Sequence, residues 1–226
     1  MDVRWHIRKH VWTPIDKRLR RHRAILFYRS FIRPGDLVFD VGANFGAWTR
    51  LLLKSGARVI AIEPQPGIFK ERRATLEQVA LGRERGELQL RSTIDPNLSG
   101  LSTLSEEWPE LLTRSGRVYE NTWAEKTTPV EVVTLDDLLE KHGVPAYIKI
   151  DTEGWDAQVL SGLSQPVRHV SFEYVPEASH FADAAIAELE RLGDYRLRFL
   201  PEEQWVPSTW PPSHPVWGDV FAELSS

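Results

Sequence analysis

Short apolar runs alternate with amphipathic segments along most of the chain. The runs are four to eight residues long and bounded by Gly, Pro or polar residues, as buried strands are. Predicted strands are 37–41, 57–64, 86–92, 130–134, 146–151 and 169–175, and predicted helices are 46–55, 68–78, 135–142 and 178–192, with one more helix that has Trp155, Val159 and Leu163 on one face. This alternation predicts an α/β fold with a doubly wound, mostly parallel sheet.

Two stretches depart from that alternation. Residues 93–129 are rich in Ser, Thr, Pro and Gly and lack clear periodicity, except for a possible helix at 106–114. Near the end, 195–200 and 217–224 are predicted to form an antiparallel pair, separated by a loop rich in Pro and Trp.

Composition narrows the class of protein. A chain of 226 residues fits one large α/β domain. The sequence contains no cysteine, which excludes disulfides, thiolate nucleophiles and zinc–thiolate sites. No apolar run approaches the about 18 residues that a membrane span needs, and the charged N-terminus does not have the pattern of a signal peptide. These features predict a cytoplasmic protein.

Charge is unevenly distributed along the chain. Residues 1–33 hold ten Lys and Arg against two Asp, although the whole chain has a net charge of −4. We interpret 1–33 as a basic helical arm that packs through Ile15, Leu19, Ile25 and Leu26, and 34–226 as the main domain. The arm could also contact an anionic membrane peripherally. The acidic remainder argues against a nucleic-acid partner, and nothing indicates an oligomeric state.

The first strand leads into a candidate cofactor site. It contains Asp40 and runs into the turn Gly42-Ala-Asn44-Phe45-Gly46, which opens the first helix of the domain. Glycines allow a sharp turn and a ligand close to a helix N-terminus. Glu63, at the end of the second strand, could accept both hydroxyl protons of an adenosine ribose. We assign the neighbouring Pro64 and Leu81 to the same site.

The turn also distinguishes between nucleoside cofactors. A dinucleotide fingerprint has a second glycine where this chain has Asn44. The pattern D-x-G-x-N-x-G suits a cofactor without phosphates, such as S-adenosylmethionine, whose amino and carboxylate ends Asp40 and Asn44 could bind. An ordinary turn without a ligand and a nicotinamide site remain the alternatives.

Six motifs in matching order carry a family resemblance. They are VFDVGANFGAWT, VIAIEPQP, VALGRERGELQL, GLSTL, VTLDDLL and IKIDTEGWDAQVLSGL. Together they resemble the FkbM family of methyltransferases, and the resemblance runs over about residues 33–173. The resemblance implies S-adenosylmethionine as cofactor and a Rossmann-like class I fold with a seven-stranded sheet and an antiparallel C-terminal strand. It also implies O-methylation of a small metabolite or glycan precursor. Carboxylate or N-methylation and an inactive cofactor-binding subunit remain alternatives.

Candidate catalytic residues follow two later strands. Asp151 and Glu153 end the strand YIKID, Glu173 lies near the end of HVSFEYV, and His180 follows it. A hydroxyl acceptor needs a base, which Glu153, Glu173 or His180 could supply, while Asp151 contacts cofactor or acceptor. The carboxylates could also hold a divalent cation, although we predict no metal. Structural alternatives are a helix-capping Asp151, a loop-bracing Glu153, a Glu173 paired with Lys149 and a solvated His180.

Other polar and aromatic residues carry weaker signals. Ser102 and Thr103 in GLSTL could bind ligand or form a turn. Trp108, Trp123, Trp205 and Trp210 could form a lid over the acceptor or pack in the core or at an edge. The remaining histidines have no metal-ligand spacing and are predicted to be structural or solvated: His6, His10, His22, His142, His169 and His214.

Overall fold

A computed structural model of the protein describes residues 14–201, 207–212 and 216–225. Four residues with predicted roles lie outside these ranges: His6, His10, Trp205 and His214. The helices are α1 (Pro14–Arg29), α2 (Ala47–Ser55), α3 (Glu107–Arg114), α4 (Leu135–His142), α5 (Asp156–Ser161) and α6 (Ser179–Leu192). Three 3-10 turns, Pro96–Leu101, Glu120–Thr122 and Pro176–Ala178, complete the helical structure of the described residues.

The strands form two sheets. In chain order they are β1 (Leu37–Val41), β2 (Arg58–Ile62), β3 (Thr75–Glu77), β4 (Ala80–Leu81), β5 (Gly86–Leu90), β6 (Thr128–Val133), β7 (Tyr147–Ile150), β8 (His169–Tyr174), β9 (Tyr195–Pro201), β10 (Ser208–Thr209) and β11 (Gly218–Leu224). The main sheet has the order β10-β9-β11-β8-β7-β1-β2-β3, and β4-β6-β5 form the small sheet.

The main sheet confirms the predicted fold class. Neighbouring strands from β8 to β3 pair in parallel, whereas β11 pairs antiparallel with both β8 and β9. Within the described residues the sheet has eight strands rather than seven, because the two-residue β10 extends its edge beyond β9. Strands β2 and β3 lie on one side of β1, and the later strands β7 and β8 lie on the other side, so the strand order reverses at β1. The carboxyl ends of β1, β2 and β7 meet at this switch point, where open α/β sheets bind ligands.

The helix predicted at 68–78 is wrong. Residues 75–77 form the edge strand β3, paired in parallel with Ile60, Ala61 and Ile62 of β2. Good helix formers fill this segment, but its few apolar residues cannot supply a helical face for burial. Pairing with the edge of β2 satisfies the backbone instead, so tertiary context overrides local propensity. The predicted strand at 86–92 exists as β5, but in the small sheet.

Two apolar cores cover the faces of the main sheet. Phe39, Ile148 and Ile150 face the core that includes α4, α5 and α6, whereas Val38 and Tyr147 face the core shared with α1 and α2. The structure contains no helix long and apolar enough to cross a membrane among the residues that it describes.

Helix α1 packs on the sheet with a different face from the one we predicted. Ala24 and Tyr28 in its C-terminal half are buried, as is Ile32 three residues after its end, whereas Leu19 and Leu26 are each 51 % exposed. Buried positions spaced four apart form one stripe along the helix. Leu19 and Leu26 lie off that stripe, so their assignment to the packing face is wrong. Ile25 is partly buried beside the core, and the side chain of Ile15 lies outside the described part of the structure.

Candidate active site

The glycine turn after β1 brings two strand ends into close contact. Gly42, Asn44 and Gly46 have φ angles of 77°, 46° and 77°, in the left-handed region. A Cβ atom at Gly42 would lie 1.9 Å from the carbonyl oxygen of Asp151, at the end of β7. Only glycine fits there, because this φ angle and this approach both exclude a side chain. Helix α2 begins directly after Gly46 and directs its N-terminus towards the same edge of the sheet.

Glu63 is held in a fixed orientation beside this turn. The side chain is 8 % exposed. The backbone N–H of Asn44 donates to its Oε2 at 2.8 Å, and that of Gln65 donates to its Oε1 at 2.9 Å. Burial raises the pKa of this carboxyl, and the two backbone donors oppose the shift. Each carboxylate oxygen keeps a lone pair for a further donor.

A cleft with about 530 Å³ of empty volume opens over these residues. Six of the predicted cofactor residues line it: Gly42, Asn44, Glu63, Pro64, Leu81 and Asp151. The structure therefore brings the residues of β1, β2, β4 and β7 together as predicted, on one cavity.

Three predicted cofactor residues lie outside the lining of the cleft. Asp40 is fully buried and accepts a hydrogen bond at Oδ2 from the hydroxyl of Thr49, while its Oδ1 has no partner in the described structure. Burial raises its pKa. Phe45 is 39 % exposed, and Gly46 packs against Phe69 and Glu71. Asp40 and Gly46 contact Thr49, Phe69 and Glu71 and do not line the cleft. Their contact with a cofactor stays a prediction.

Sequence reasoning missed several residues of the cleft. Trp155 lines it and donates from Nε1 to the carbonyl oxygen of Leu81 at 3.0 Å, which ties the start of α5 to the small sheet. Ser99 lines the cleft from the 3-10 turn and donates to Oδ1 of Asn44 at 3.2 Å. The indole directly after IKIDTEG was a detectable signal, whereas Ser99 lies in a stretch without periodicity.

Ser102 and Thr103 both line the cleft. The Thr103 hydroxyl donates to the backbone oxygen of Glu153 at 2.6 Å and accepts the backbone N–H of Ser105 at 2.9 Å. Thr103 thus connects the irregular segment to the loop after β7. Its side chain braces that loop, and the turn interpretation of GLSTL fits this geometry.

Asp151, Glu153 and Glu173 form a carboxylate cluster at the end of β7 and β8. One carboxylate oxygen of each lies within 4.8 Å of those of the other two, and all three side chains are partly buried. Glu153 has a φ angle of 54°, unusual for a residue other than glycine. Such spacing could hold a divalent cation, although acidic groups also cluster without one.

The crowding of these carboxyls changes their titration. Burial, followed by the charges of Asp151 and Asp156, raises the pKa of Glu153. Burial and the neighbouring Glu153 and Asp151 raise that of Glu173. The indole N–H of Trp108 lies close enough to Glu153 to lower its pKa in part, without a complete hydrogen bond. Both glutamates therefore hold protons to a higher pH than exposed glutamates do.

Lys149 compensates part of this negative charge. The side chain is 2 % exposed, and its Nζ donates to Oδ2 of Asp151 at 2.7 Å. Burial disfavours its charged form, but the carboxylates of Asp151, Asp219 and Asp40 outweigh that effect and raise its pKa. The partner of Lys149 is thus Asp151 rather than Glu173, which corrects the structural alternative considered for Glu173.

Asp156 holds the loop between β7 and α5, a role that sequence reasoning missed. Its Oδ1 accepts the backbone N–H of Thr152 at 3.0 Å and also the Thr152 hydroxyl. Its Oδ2 accepts the backbone N–H of Glu173 at 3.2 Å. One buried carboxylate therefore connects both elements that present the cluster. An acidic residue in the first turn of a helix was the available signal.

His180 lies apart from the carboxylate cluster. It is at the start of α6, its side chain is 53 % exposed, and its Nε2 lies 3.1 Å from Oε1 of Glu107 on α3. A role as base stays a prediction that this geometry does not favour. Among the other histidines, His142 bonds to Glu77 and His169 is buried. The structural interpretation of these two is confirmed.

Two of the four tryptophans pack in the core, which is one of the two alternatives that the sequence left open, and do not form a lid. Trp108 and Trp123 are 1 % and 9 % exposed and pack together with Leu111 and Leu112 in a small core around α3. Trp108 also contacts Gly154, where a Cβ atom would lie 2.9 Å from its ring. Trp210 packs against Tyr174 at the edge of the main sheet. These rings support the site and the sheet rather than cover an acceptor.

Comparison with known proteins agrees with this geometry. The family model of the FkbM methyltransferase domain matches residues 40–201. The chain is 30 % identical over 198 residues to the 31-O-demethyl-FK506 methyltransferase FkbM of Streptomyces tacrolimicus, covering 75 % of each chain. It is 27 % identical over 145 residues to the hexuronic acid methyltransferase AglP of Haloferax volcanii, covering 62 % of this chain and 55 % of that one.

Solved structures show weaker likeness. A precorrin-6y C5,15-methyltransferase from Geobacter metallireducens has a TM-score of 0.46 at 12 % identity, over 90 % of this chain and 87 % of that one. A TehB-like SAM-dependent methyltransferase from Corynebacterium glutamicum has a TM-score of 0.45 at 12 % identity, over 90 % and 88 %. The assignment rests on the sequence matches, and the match to the family model covers the glycine turn, Glu63 and the carboxylate cluster. The chain belongs to the FkbM family of methyltransferases.

Proposed function

We propose that this methyltransferase transfers the methyl group of S-adenosylmethionine to a hydroxyl oxygen of a small metabolite or glycan precursor. The observation that carries the proposal is the pair formed by the Glu63 cleft and the carboxylate cluster, which share Asp151. The Glu63 cleft binds the nucleoside cofactor, and the carboxylate cluster removes the proton of the acceptor hydroxyl. The names of FkbM, a 31-O-demethyl-FK506 methyltransferase, and of AglP, a hexuronic acid methyltransferase, support an acceptor of this kind.

The residues of the cleft fit this cofactor. Glu63 would accept the ribose hydroxyl protons, because its two oxygens are fixed by backbone donors and keep free lone pairs. The missing side chain of Gly42 lets the turn pack directly against the backbone of Asp151, which brings Asp151 to the edge of the cleft. Asn44 and Asp151 would bind the amino-acid end of the cofactor, and Leu81 and Trp155 would supply apolar contacts for its adenine ring. When bound, S-adenosylmethionine supplies a methyl group activated by sulfonium.

The carboxylate cluster would accept the proton of the acceptor hydroxyl. A hydroxyl is a weak nucleophile until a base removes its proton. Glu153 and Glu173 have raised pKa values, so their ionised forms are stronger bases than an exposed glutamate. Lys149 pairs with Asp151 at 2.7 Å and limits the repulsion within the cluster. We therefore assign Glu153 or Glu173 as the base and Asp151 as the contact to cofactor or acceptor.

The test is an acceptor screen with S-adenosylmethionine labelled in its methyl group. Methyl ethers survive mild alkali, whereas methyl esters are hydrolysed, so alkaline treatment distinguishes a hydroxyl acceptor from a carboxylate acceptor. We expect an alkali-stable product and turnover reduced at least about 100-fold by Glu153→Gln or Glu173→Gln, with Glu87→Gln, an exposed glutamate on β5, unchanged. An alkali-labile product, with turnover intact in both cluster variants, would identify a carboxylate acceptor and contradict the proposal. Parallel reactions with EDTA report whether a metal takes part.

A further inference from the structure

Helix α1 carries a pair of leucines on its solvent-exposed side. A single exposed leucine is ordinary on a protein surface, but Leu19 and Leu26 are each 51 % exposed and lie seven residues apart. This spacing places them within about 20° of one another around the helix and about 10 Å apart along it. Both are about 140–180° around the helix from Ala24 and Tyr28, which are buried in the core that covers the sheet. The two leucines therefore face away from that core.

Arginines lie on both sides of this leucine pair. Arg29 is about 60° around the helix from Leu26 in one direction, and Arg23 is about 60° from it in the other. Nη2 of Arg29 donates to the carbonyl oxygen of Lys54 at 2.9 Å, a neutral partner that leaves the positive charge in place. Six residues of this side are exposed, and we call them the outer face of α1: Arg18, Leu19, His22, Arg23, Leu26 and Arg29.

The surface next to the outer face adds further positive charge. A groove with about 1040 Å³ of empty volume extends from Arg23 and Leu26 to Arg196 and Arg198 on β9. Among the described residues that line it, the one carboxylate is that of Glu223, which lies 2.9 Å from Arg196 and 3.8 Å from Arg198. Three arginines against one glutamate leave the groove with a net positive charge. An anionic surface would therefore be attracted to α1 and to the groove together.

We propose that the outer face of α1 docks the protein peripherally on an anionic phospholipid membrane. A helix with apolar residues between basic ones lies in the plane of the membrane interface, with its apolar side chains about 5–10 Å into the boundary between headgroups and acyl chains. Arginine side chains are long enough to keep their guanidinium groups at the phosphates while the leucines enter this boundary. The inference concerns α1 and does not depend on the proposed function.

The combination of charge and apolar surface favours a membrane over other partners. A second copy of the outer face would bring arginines opposite arginines, and like charges repel. The phosphate backbone of a nucleic acid would attract the arginines, but it offers no apolar layer in which Leu19 and Leu26 could be buried. A phospholipid surface supplies both parts, because its phosphates lie directly above its acyl chains.

The experiment is co-sedimentation of the full chain with vesicles of phosphatidylcholine alone, or of phosphatidylcholine and phosphatidylglycerol in equal parts. A DNA duplex is tested for binding in a parallel sample. The apolar variant combines Leu19→Ser with Leu26→Ser. Its control combines Leu88→Ser with Ile94→Ser, which are 37 % and 64 % exposed in and next to the small sheet.

A second pair of variants tests the charges of the outer face. The charge variant combines Arg18→Gln with Arg23→Gln, and its control combines Arg83→Gln with Lys126→Gln, which are exposed next to the strands of the small sheet. All four substituted positions are exposed, so we expect each variant to fold, and urea unfolding checks that it does.

A fluorescent label tests contact with the lipid directly. The sequence contains no cysteine, so a single introduced cysteine carries the only label. His22→Cys places a polarity-sensitive fluorophore between Leu19 and Leu26, and Ile94→Cys places it next to the small sheet. Anionic vesicles should shift the emission of the label at position 22 to shorter wavelength and leave that of the label at position 94 unchanged.

We expect the natural protein to bind the anionic vesicles at least about tenfold more tightly than phosphatidylcholine alone, and added salt to weaken this binding by screening. The apolar and charge variants should each bind the anionic vesicles at least about fivefold more weakly, with both controls unchanged. Absence of binding, equal binding to both kinds of vesicle, or undiminished binding in either outer-face variant would overturn the inference. Binding to the DNA duplex but not to vesicles would assign the arginines to a nucleic acid and overturn it as well.

Discussion

At the scale of single residues, Gly42 is a position where the structure leaves no space for a side chain. Gly42→Ala combines a φ angle of 77° with a Cβ atom 1.9 Å from the Asp151 carbonyl oxygen. We expect a loss of about 3 kcal/mol or more in the free energy of unfolding, since the strained φ angle costs about 1–2 kcal/mol and the contact forces the ends of β1 and β7 apart. Affinity for S-adenosylhomocysteine should fall at least tenfold. Urea unfolding and calorimetry measure the two effects.

Gly116→Ala is the matched control for Gly42→Ala. Gly116 has a φ angle of 73°, and a Cβ atom there would have nothing within 4 Å. It should show only the backbone cost, with unchanged cofactor affinity. Equal effects of the two substitutions on binding would contradict the close approach of β1 and β7.

Glu173 predicts a dependence of stability on pH. Its pKa is raised in the folded protein by burial and by Glu153 and Asp151. The stabilisation from its folded-state proton is therefore fully present below the ordinary glutamate pKa, about 4.3, and is lost as the pH rises through the raised value. Glu173→Gln removes this titration and relieves Glu153. As the pH rises above about 4.3, the variant should lose less stability than the natural protein, as measured by urea unfolding.

The control for that measurement is Glu190→Gln, an exposed glutamate on α6. Its stability curve should parallel that of the natural protein across the same pH range. If Glu173→Gln also runs parallel to the natural protein, the carboxylate cluster does not carry the raised pKa values. Turnover of the natural protein should rise over the range in which its stability falls, because the ionised form is the base.

Residue identities in the cleft could be predicted where a motif fixes both position and chemistry. Gly42, Asn44 and Glu63 were found because a strand, a glycine turn and a terminal acid stand in order along the chain. Asp156 and Ser99 were missed, since their roles depend on contacts with Glu173 and Asn44 that are distant in sequence. Neighbours brought together only by the fold leave little local signal.

At the scale of elements, the start of α4 is fixed by a reciprocal cap. The backbone N–H of Asp137 donates to Oγ1 of Thr134 at 3.1 Å, and that of Thr134 donates to Oδ2 of Asp137 at 2.8 Å. Thr134→Ala should lower the free energy of unfolding by about 1 kcal/mol, because the hydroxyl acceptor is lost. Thr134→Ser should keep most of the stability. A serine variant as unstable as the alanine variant would refute the cap, and urea unfolding distinguishes them.

Elements were predictable where burial and capping signals agree. Helix α4 has the predicted bounds, 135–142, with Thr134 as its N-cap and Gly143 directly after its last residue. The segment 68–78 failed because its helix-forming residues are outweighed by the pairing of β3 with β2. The prediction of the packing face of α1 was wrong for a related reason. The sheet surface that the helix packs against decides which of its apolar residues become buried.

At the scale of the whole molecule, the fold determines where the basic and acidic parts of the chain lie. The chain has a net charge of −4 although its N-terminal region is strongly basic. The structure places the basic α1 beside α2, whose N-terminus follows the glycine turn, while the carboxylate cluster lies at the ends of β7 and β8. The basic helix α1 and the acidic carboxylate cluster thus lie in different parts of the same domain. Composition predicted the imbalance, but only the fold shows where the two regions meet.

The most direct test of the account is calorimetric binding of S-adenosylhomocysteine and NAD to the natural protein and to Glu63→Gln. We predict one S-adenosylhomocysteine per chain, no binding of NAD, and an affinity reduced about 10- to 100-fold in Glu63→Gln, because one charged acceptor is lost. Glu87→Gln on the exposed strand β5 should bind as the natural protein does. Binding of NAD without S-adenosylhomocysteine, or undiminished affinity in a folded Glu63→Gln, would contradict a methyl-donor site at the Glu63 cleft.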